Sequence, residues 1–118
     1  MSEIKRHAPY AGLMHEVVEH NGILYFGGIV SDDLKLDMTG QAEDVMRQLK
    51  TLLAANGSDL TRLLQVTLYF PDLSKKPEFD AVWKKQLGDV HMPGRAGIGV
   101  NDLGPGALVE IVVIAAKA

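Results

Sequence analysis

Glu110 is the one ionisable residue in the apolar run 107–116 near the C-terminus. Burying a carboxylate without partners costs several kcal/mol or forces it to take up a proton, so the run calls for a compensating group. Arg95 is the candidate. If the two last strands paired with Ile98 opposite Ala107, Arg95 would stand directly across from Glu110 on one face of the ribbon. Two chemistries then stay open. One is a structural ion pair, which buried charges often form. The other is a pocket: an arginine following Met92-Pro93-Gly94 sits where a side-chain-poor loop meets a strand, its planar fork free to hold a carboxylate by two parallel hydrogen bonds. A carboxylate not consumed by that arginine can orient or deprotonate a water.

Other candidates carry less. His15 and His20 flank two glutamates, but they are five residues apart in an expected strand and point to opposite faces, unlike the i, i+4 histidines of a helical zinc site; no metal is expected. His7 and His91 fall in expected loops and read as solvated. Asn56-Gly57-Ser58 matches a glycosylation acceptor yet coincides with a helix end, where a capping turn is the better account. Gly27-Gly28 is too short for a phosphate loop, no G-x-S-x-G elbow occurs, and the chain has no cysteine to serve as nucleophile or disulfide. Trp83 reads first as a core residue of a helix and second as a platform for a ligand.

The elements that must position Arg95 and Glu110 follow from periodicity. Residues 13–18 and 23–30 read as strands joined by the tight turn His20-Asn21-Gly22. Across residues 39–56, Ala42, Val45, Met46, Leu49, Leu52 and Leu53 recur at intervals of three and four, the stripe of an amphipathic helix, with Thr39 suited to cap it and Gly57 to end it. Residues 63–70 alternate Leu64, Val66, Leu68 and Phe70 with Gln65, Thr67 and Tyr69, a strand with one buried face, closed by Pro71 and Asp72. A second helix carries Phe79, Val82, Trp83 and Leu87 between Pro77 and Gly88. The last strands are 96–100 and 107–116. The order β-β-α-β-α-β-β predicts an α+β fold of two layers, a mostly antiparallel sheet of five or six strands covered by two helices. The far sheet face, with Tyr69, Thr67, Val109 and Val113, would stay bare in a monomer, so a homo-oligomer is expected.

The 118 residues fit one domain, 1–118, and nearly half of them are apolar, an ordinary globular composition. A net charge of -3 with no basic run longer than a pair provides no footprint for nucleic acid. The longest apolar run is too short to span a bilayer and is broken by Glu110. The first ten residues have no apolar segment of the kind a secretory leader needs, and a cytoplasmic location is expected.

Two segments carry a resemblance. Pro93-Gly94-Arg95-Ala96-Gly97-Ile98-Gly99-Val100, followed by Leu103-Gly104-Pro105-Gly106-Ala107-Leu108-Val109-Glu110-Ile111, resembles the C-terminal signature of the RidA (YjgF) family, P-x-R-[ST]-x-x-x-V and then L-P-x-G-A-L-V-E-I. Looser likeness runs over nearly the whole chain, through Asn21 to Gly28, Leu52 to Leu60 and Val66 to Leu73. The resemblance implies a chorismate-mutase-like fold assembled as a homotrimer, with ligand sites in clefts between subunits. It implies hydrolysis of reactive enamines and imines, such as 2-aminoacrylate and its imine tautomer, to a 2-keto acid and ammonia without cofactor or metal. Carried onto this chain, Arg95 clamps the carboxylate of a small substrate, Glu110 positions the attacking water, and the backbone at Gly97 and Gly28 lines the site.

The chain also departs from the family pattern. A tyrosine, a serine and an asparagine that complete the pocket in that family fall on Met14, Gly27 and Trp83, and Ile29 replaces a frequent glutamine. Met14 and Trp83 thus join the expected substrate contacts, in a wider and more apolar pocket for a bulkier acid. Two alternatives to a deaminase follow from the same departures: a non-catalytic protein that binds a carboxylated metabolite, and a holdase-like role for apolar surfaces.

Overall fold

A computed structural model describes residues 3–89 and 91–118; Met1, Ser2 and Val90 lie outside the described residues, and with them part of the stretch read for a leader. The chain runs β1 (Lys5–Tyr10), β2 (Met14–His20), β3 (Ile23–Phe26), α1 (Met38–Ala55), β4 (Leu63–Phe70), α2 (Lys76–Leu87), β5 (Gly94–Gly99) and β6 (Glu110–Ala116). The strands form one six-stranded sheet in the order β1-β2-β3-β6-β4-β5. Every neighbouring pair is antiparallel except β4 and β5, which are parallel, as strands joined through a crossover helix such as α2 must be. The expected two-layer α+β fold is present.

Both helices cover one face. Val45, Met46, Leu49 and Leu53 of α1 and Phe79, Val82 and Trp83 of α2 bury against Val66, Leu68 and Phe70 of β4 and Ile111, Val113 and Ala115 of β6. Phe70 and Phe79 meet edge to face at 5.8 Å, joining β4 to α2.

Several local expectations shift. The N-cap of α1 is Asp37, whose carboxylate accepts from the Gly40 amide, so Thr39 lies inside the helix. β1 was not expected: its residues are nearly all exposed and show no apolar alternation. His7, read as a solvated loop residue, sits in β1 with Nε2 3.2 Å from Glu19 Oε1. The turn at Asn21-Gly22 has both residues at positive φ, as a tight hairpin requires. β3 ends at Phe26, four residues short of expectation, because the pairing with β6 slips by one between Tyr25↔Ile114 and Ile29↔Ile111, a bulge at Gly27-Gly28.

The larger corrections concern the C-terminal strands. β5 and β6 are not neighbours, since β4 lies between them, so the ribbon pairing Ile98 with Ala107 does not exist. Val109 and Val113 are wholly buried on the helix side. The open face is formed instead by Val112, Ile114 and Ala116 of β6 with Thr67 and Tyr69 of β4. Leu64 is exposed because the β4–β6 pairing slips between Leu63 and Gln65. No helix among the described residues is long and apolar enough to cross a membrane.

Candidate functional site

Glu110 opens β6 opposite Tyr69, on the face away from the helices. Two devices set it there. Gln41, wholly buried on α1, donates from Nε2 to the carbonyls of Leu36 (3.0 Å) and Gly106 (2.8 Å) and accepts from the Leu108 amide (2.9 Å), which pins the incoming loop to the helix. Ile111 then exchanges both backbone hydrogen bonds with Ile29 at 2.9 and 3.0 Å. That exchange brings the Gly27-Gly28 bulge beside Glu110, and the carboxylate lies so close over Gly28 that a Cβ there would overlap Oε2. Glycine at 28 is therefore a condition of this position of Glu110.

The carboxylate borders a cavity of about 290 Å3, whose walls include Tyr10, Met14, Glu16, Ile29 and Gln48. Among the described residues no side chain donates to Glu110, and no lysine, arginine or histidine lines the cavity. Met14 comes from β2 and its methyl rests on Gly27, where a Cβ would overlap it. Glycine at 27 thus makes room for the Met14 side chain. The cavity is not simply apolar: its lining includes Met14 and Ile29 but also Glu16, Gln48 and Tyr10, which pairs with Met14 across the β1–β2 hairpin.

The wall nearest α1 is held by an ion cluster. Asp44 accepts from the Asp32 amide (2.7 Å), Ser31 Oγ (3.3 Å), Gln48 Nε2 (3.0 Å) and Arg47 (2.7 Å), and Gln48 Nε2 also donates to the Val30 carbonyl (2.9 Å). Burial pushes the Asp44 carboxyl up, but the Asp32 amide, Arg47 and Gln48 outweigh it and bring it down to about 2. Gln41, Asp44 and Gln48 went unnoticed in the sequence, although Gln41 falls on the apolar stripe of α1, a signal that a buried polar role was there to be read.

Arg95 lies elsewhere. As the second residue of β5 it pairs with Val66, a buried residue, and so shares the helix-facing side of the sheet. Its Nη2 is 2.7 Å from Asp80 Oδ1, and its guanidinium lies 5.3 Å from the centre of the Trp83 ring. Asp80 also holds Lys76 at 2.9 Å. Burial pushes the Asp80 carboxyl up, yet the two cations together hold it below the usual carboxylate range. Trp83 is buried in the core, with the Phe79 ring at 6.2 Å and the Arg95 guanidinium over its face. Gly97, two residues on, also faces the helices, and a Cβ there would come within 2.9 Å of Lys76 Cε.

The expected site residues therefore divide into two groups. Glu110, Gly28 and Met14 share the cavity on the open face, while Arg95, Gly97 and Trp83 gather under α2. No grouping of three or more His, Asp or Glu suited to a metal occurs among the described residues.

Comparison with known proteins places this geometry in context. The model of the family described as endoribonuclease L-PSP matches residues 3–117. A RutC family protein of Haemophilus ducreyi is 33% identical over 101 residues, covering 86% of each chain. Protein HMF1 of Saccharomyces cerevisiae is 32% identical over 114 residues, covering 93% of this chain and 88% of its own. Among solved structures, a YjgF family member from Neisseria meningitidis superposes with a TM-score of 0.90 at 26% identity, over 98% of this chain and 96% of that one.

Proposed function

The chain belongs to the endoribonuclease L-PSP family, the YjgF/RidA group, and on that premise we propose that it is a cofactor-free hydrolase of small 2-imino acids, working as a homotrimer whose sites lie between subunits. The observation that carries the proposal is the Glu110 carboxylate, which has no side-chain donor among the described residues and is held over Gly28 at the edge of a cavity of about 290 Å3. An ionised carboxylate with its lone pairs unspent is equipped to take a proton from water.

In the reaction, Glu110 accepts a proton from water as the water oxygen bonds to the imine carbon and the C=N π pair moves to nitrogen. The protonated Glu110 returns that proton to the nitrogen of the carbinolamine. The C–N bond then breaks, ammonia leaves, and the hydroxyl proton passes to it, so an iminium acid and water become a 2-keto acid and ammonium. Water is the only co-reactant.

The substrate carboxylate needs a cation, and among the described residues the Glu110 cavity has none of its own. Arg95 meets that need from a second copy. Its ion pair with Asp80 engages one edge of the guanidinium, leaving further N–H groups for a carboxylate. The exposed Tyr25 and Ile98 on the open face favour burial against such a copy. Phosphodiester cleavage is disfavoured, because the carboxylates of Glu110 and Glu16 would repel an RNA backbone and the chain has a net charge of -3.

The test supplies an imine generated in place from an amino acid by an oxidase and follows keto acid release. Wild type should exceed the spontaneous rate, and Arg95→Ala and Glu110→Gln should each fall at least ~100-fold. Equal rates for all three would sink the assignment. Binding of 2-keto acids without any turnover would favour a non-catalytic carboxylate-binding protein instead.

A further inference from the structure

The Glu110 cavity holds more hydrogen-bond acceptors than an imine can use. In the reaction proposed above, Glu110 serves the water and the nitrogen at the reacting centre. Beyond it stands Glu16 on β2, whose carboxylate has no donor among the described residues. Gln48 adds another acceptor, and its orientation is settled by the ion cluster behind it. Its Nε2 donates to the Val30 carbonyl at 2.9 Å and to Asp44 Oδ2 at 3.0 Å, so both amide hydrogens are committed to the protein. Flipping the amide would set an oxygen against two oxygens. The carbonyl Oε1 is thus the one polar atom that Gln48 has left, in a residue that forms part of the cavity wall.

A ligand that fills such a cavity with hydrocarbon alone strips water from Glu16 and Gln48 without replacing its hydrogen bonds, and buried acceptors left bare are costly. A ligand ending in N–H donors replaces them. Met14 and Ile29, which line the same cavity, offer apolar walls suited to a methylene stem. Resting on the function proposed above, we infer that this cavity selects 2-imino acids whose side chain is an aliphatic stem ending in a guanidinium or ammonium, with Glu16 and Gln48 as the specificity-determining residues. The departures at Met14 and Gly27 then take on a purpose, since they shape the stem's channel and not the chemistry.

The test compares two imines made in place by an L-amino-acid oxidase, one from L-arginine and one from L-leucine. Wild type should favour the arginine-derived imine in kcat/KM by at least ~10-fold, through KM more than kcat. In Glu16→Gln and in Gln48→Met that ratio should fall toward one. Because both substrates meet the same preparation, the ratio is unaffected by any fraction of misfolded variant. A wild-type ratio at or below one, or a ratio unmoved in Glu16→Gln, overturns the inference while leaving the hydrolase intact. If neither imine is consumed above its spontaneous rate, the proposed hydrolase fails, and calorimetry with the two corresponding 2-keto acids decides the inference alone. Tighter binding of the guanidino acid, lost in Glu16→Gln, upholds it; equal binding of the two overturns it.

Discussion

Arg95 and Glu110 lie on opposite faces of the sheet with β4 between their strands. Arg95 pairs with Val66 and faces α2, whereas Glu110 pairs with Tyr69 and faces away from both helices. Two inter-strand spacings, about 10 Å, separate their strands even before the side chains diverge. A salt bridge within one chain is therefore not available to them, and the bland account of the pair as a structural ion pair fails on topology.

If the two residues serve one substrate, they must come from different copies. Arg95→Ala and Glu110→Gln chains, each inactive alone, should then complement when co-expressed, because some sites draw their arginine from one chain and their glutamate from the other. In a random mixture roughly a quarter of sites are complete, so about that share of wild-type activity should return. Keto acid release by the purified mixed oligomer is the measurement. No recovery in a mixture shown to contain both chains would exclude a site shared between copies.

Gly28 tests the placement of Glu110 without touching the carboxylate. Its backbone does not require glycine, since it is not among the positive-φ residues, so only the space over it matters. Alanine there should push the Glu110 carboxylate aside and lower kcat by about 100-fold, the usual cost of displacing a catalytic group by an ångström. The melting temperature should move by less than ~5 °C. Full activity in Gly28→Ala would show that the carboxylate does not work from its position over residue 28.

Asp44 makes the cavity wall sensitive to acid. Its carboxyl titrates at about 2 in the fold against 3.8 when unperturbed, so its folded pKa is the lower one. Its stabilising contribution is complete above the unfolded value and disappears as pH falls through the folded one. Asp44→Asn should cost ~2 kcal/mol near neutral pH, where a hydrogen-bonded charge is lost, and progressively less as the pH falls from ~4 toward ~2. Denaturant unfolding of both proteins across that range provides the comparison. A gap that stays constant down to the acid end would mean that Asp44 is not held ionised by Arg47, Gln48 and the Asp32 amide.

Much of this protein was written locally. The stripe Ala42, Val45, Met46, Leu49 and Leu53 determined α1, the alternation Val66, Leu68 and Phe70 determined β4, and the isolated Glu110 in an apolar run marked itself as a candidate. β1 left no such mark, because a strand exposed along nearly its whole length needs no apolar alternation. Periodicity reports which residues of one element share a face; it is silent on which elements lie side by side. Whether β5 paired with β6 or with β4 depended on the crossover through α2, a relation between distant segments. In the glycine-rich stretch Gly94-Arg95-Ala96-Gly97 almost no side chain records the answer. That one choice of neighbour decided the face of Arg95. So the sequence by itself singled out an arginine and a glutamate as candidates, and the tertiary structure alone decided that they stand apart, one over Trp83 and the other over Gly28.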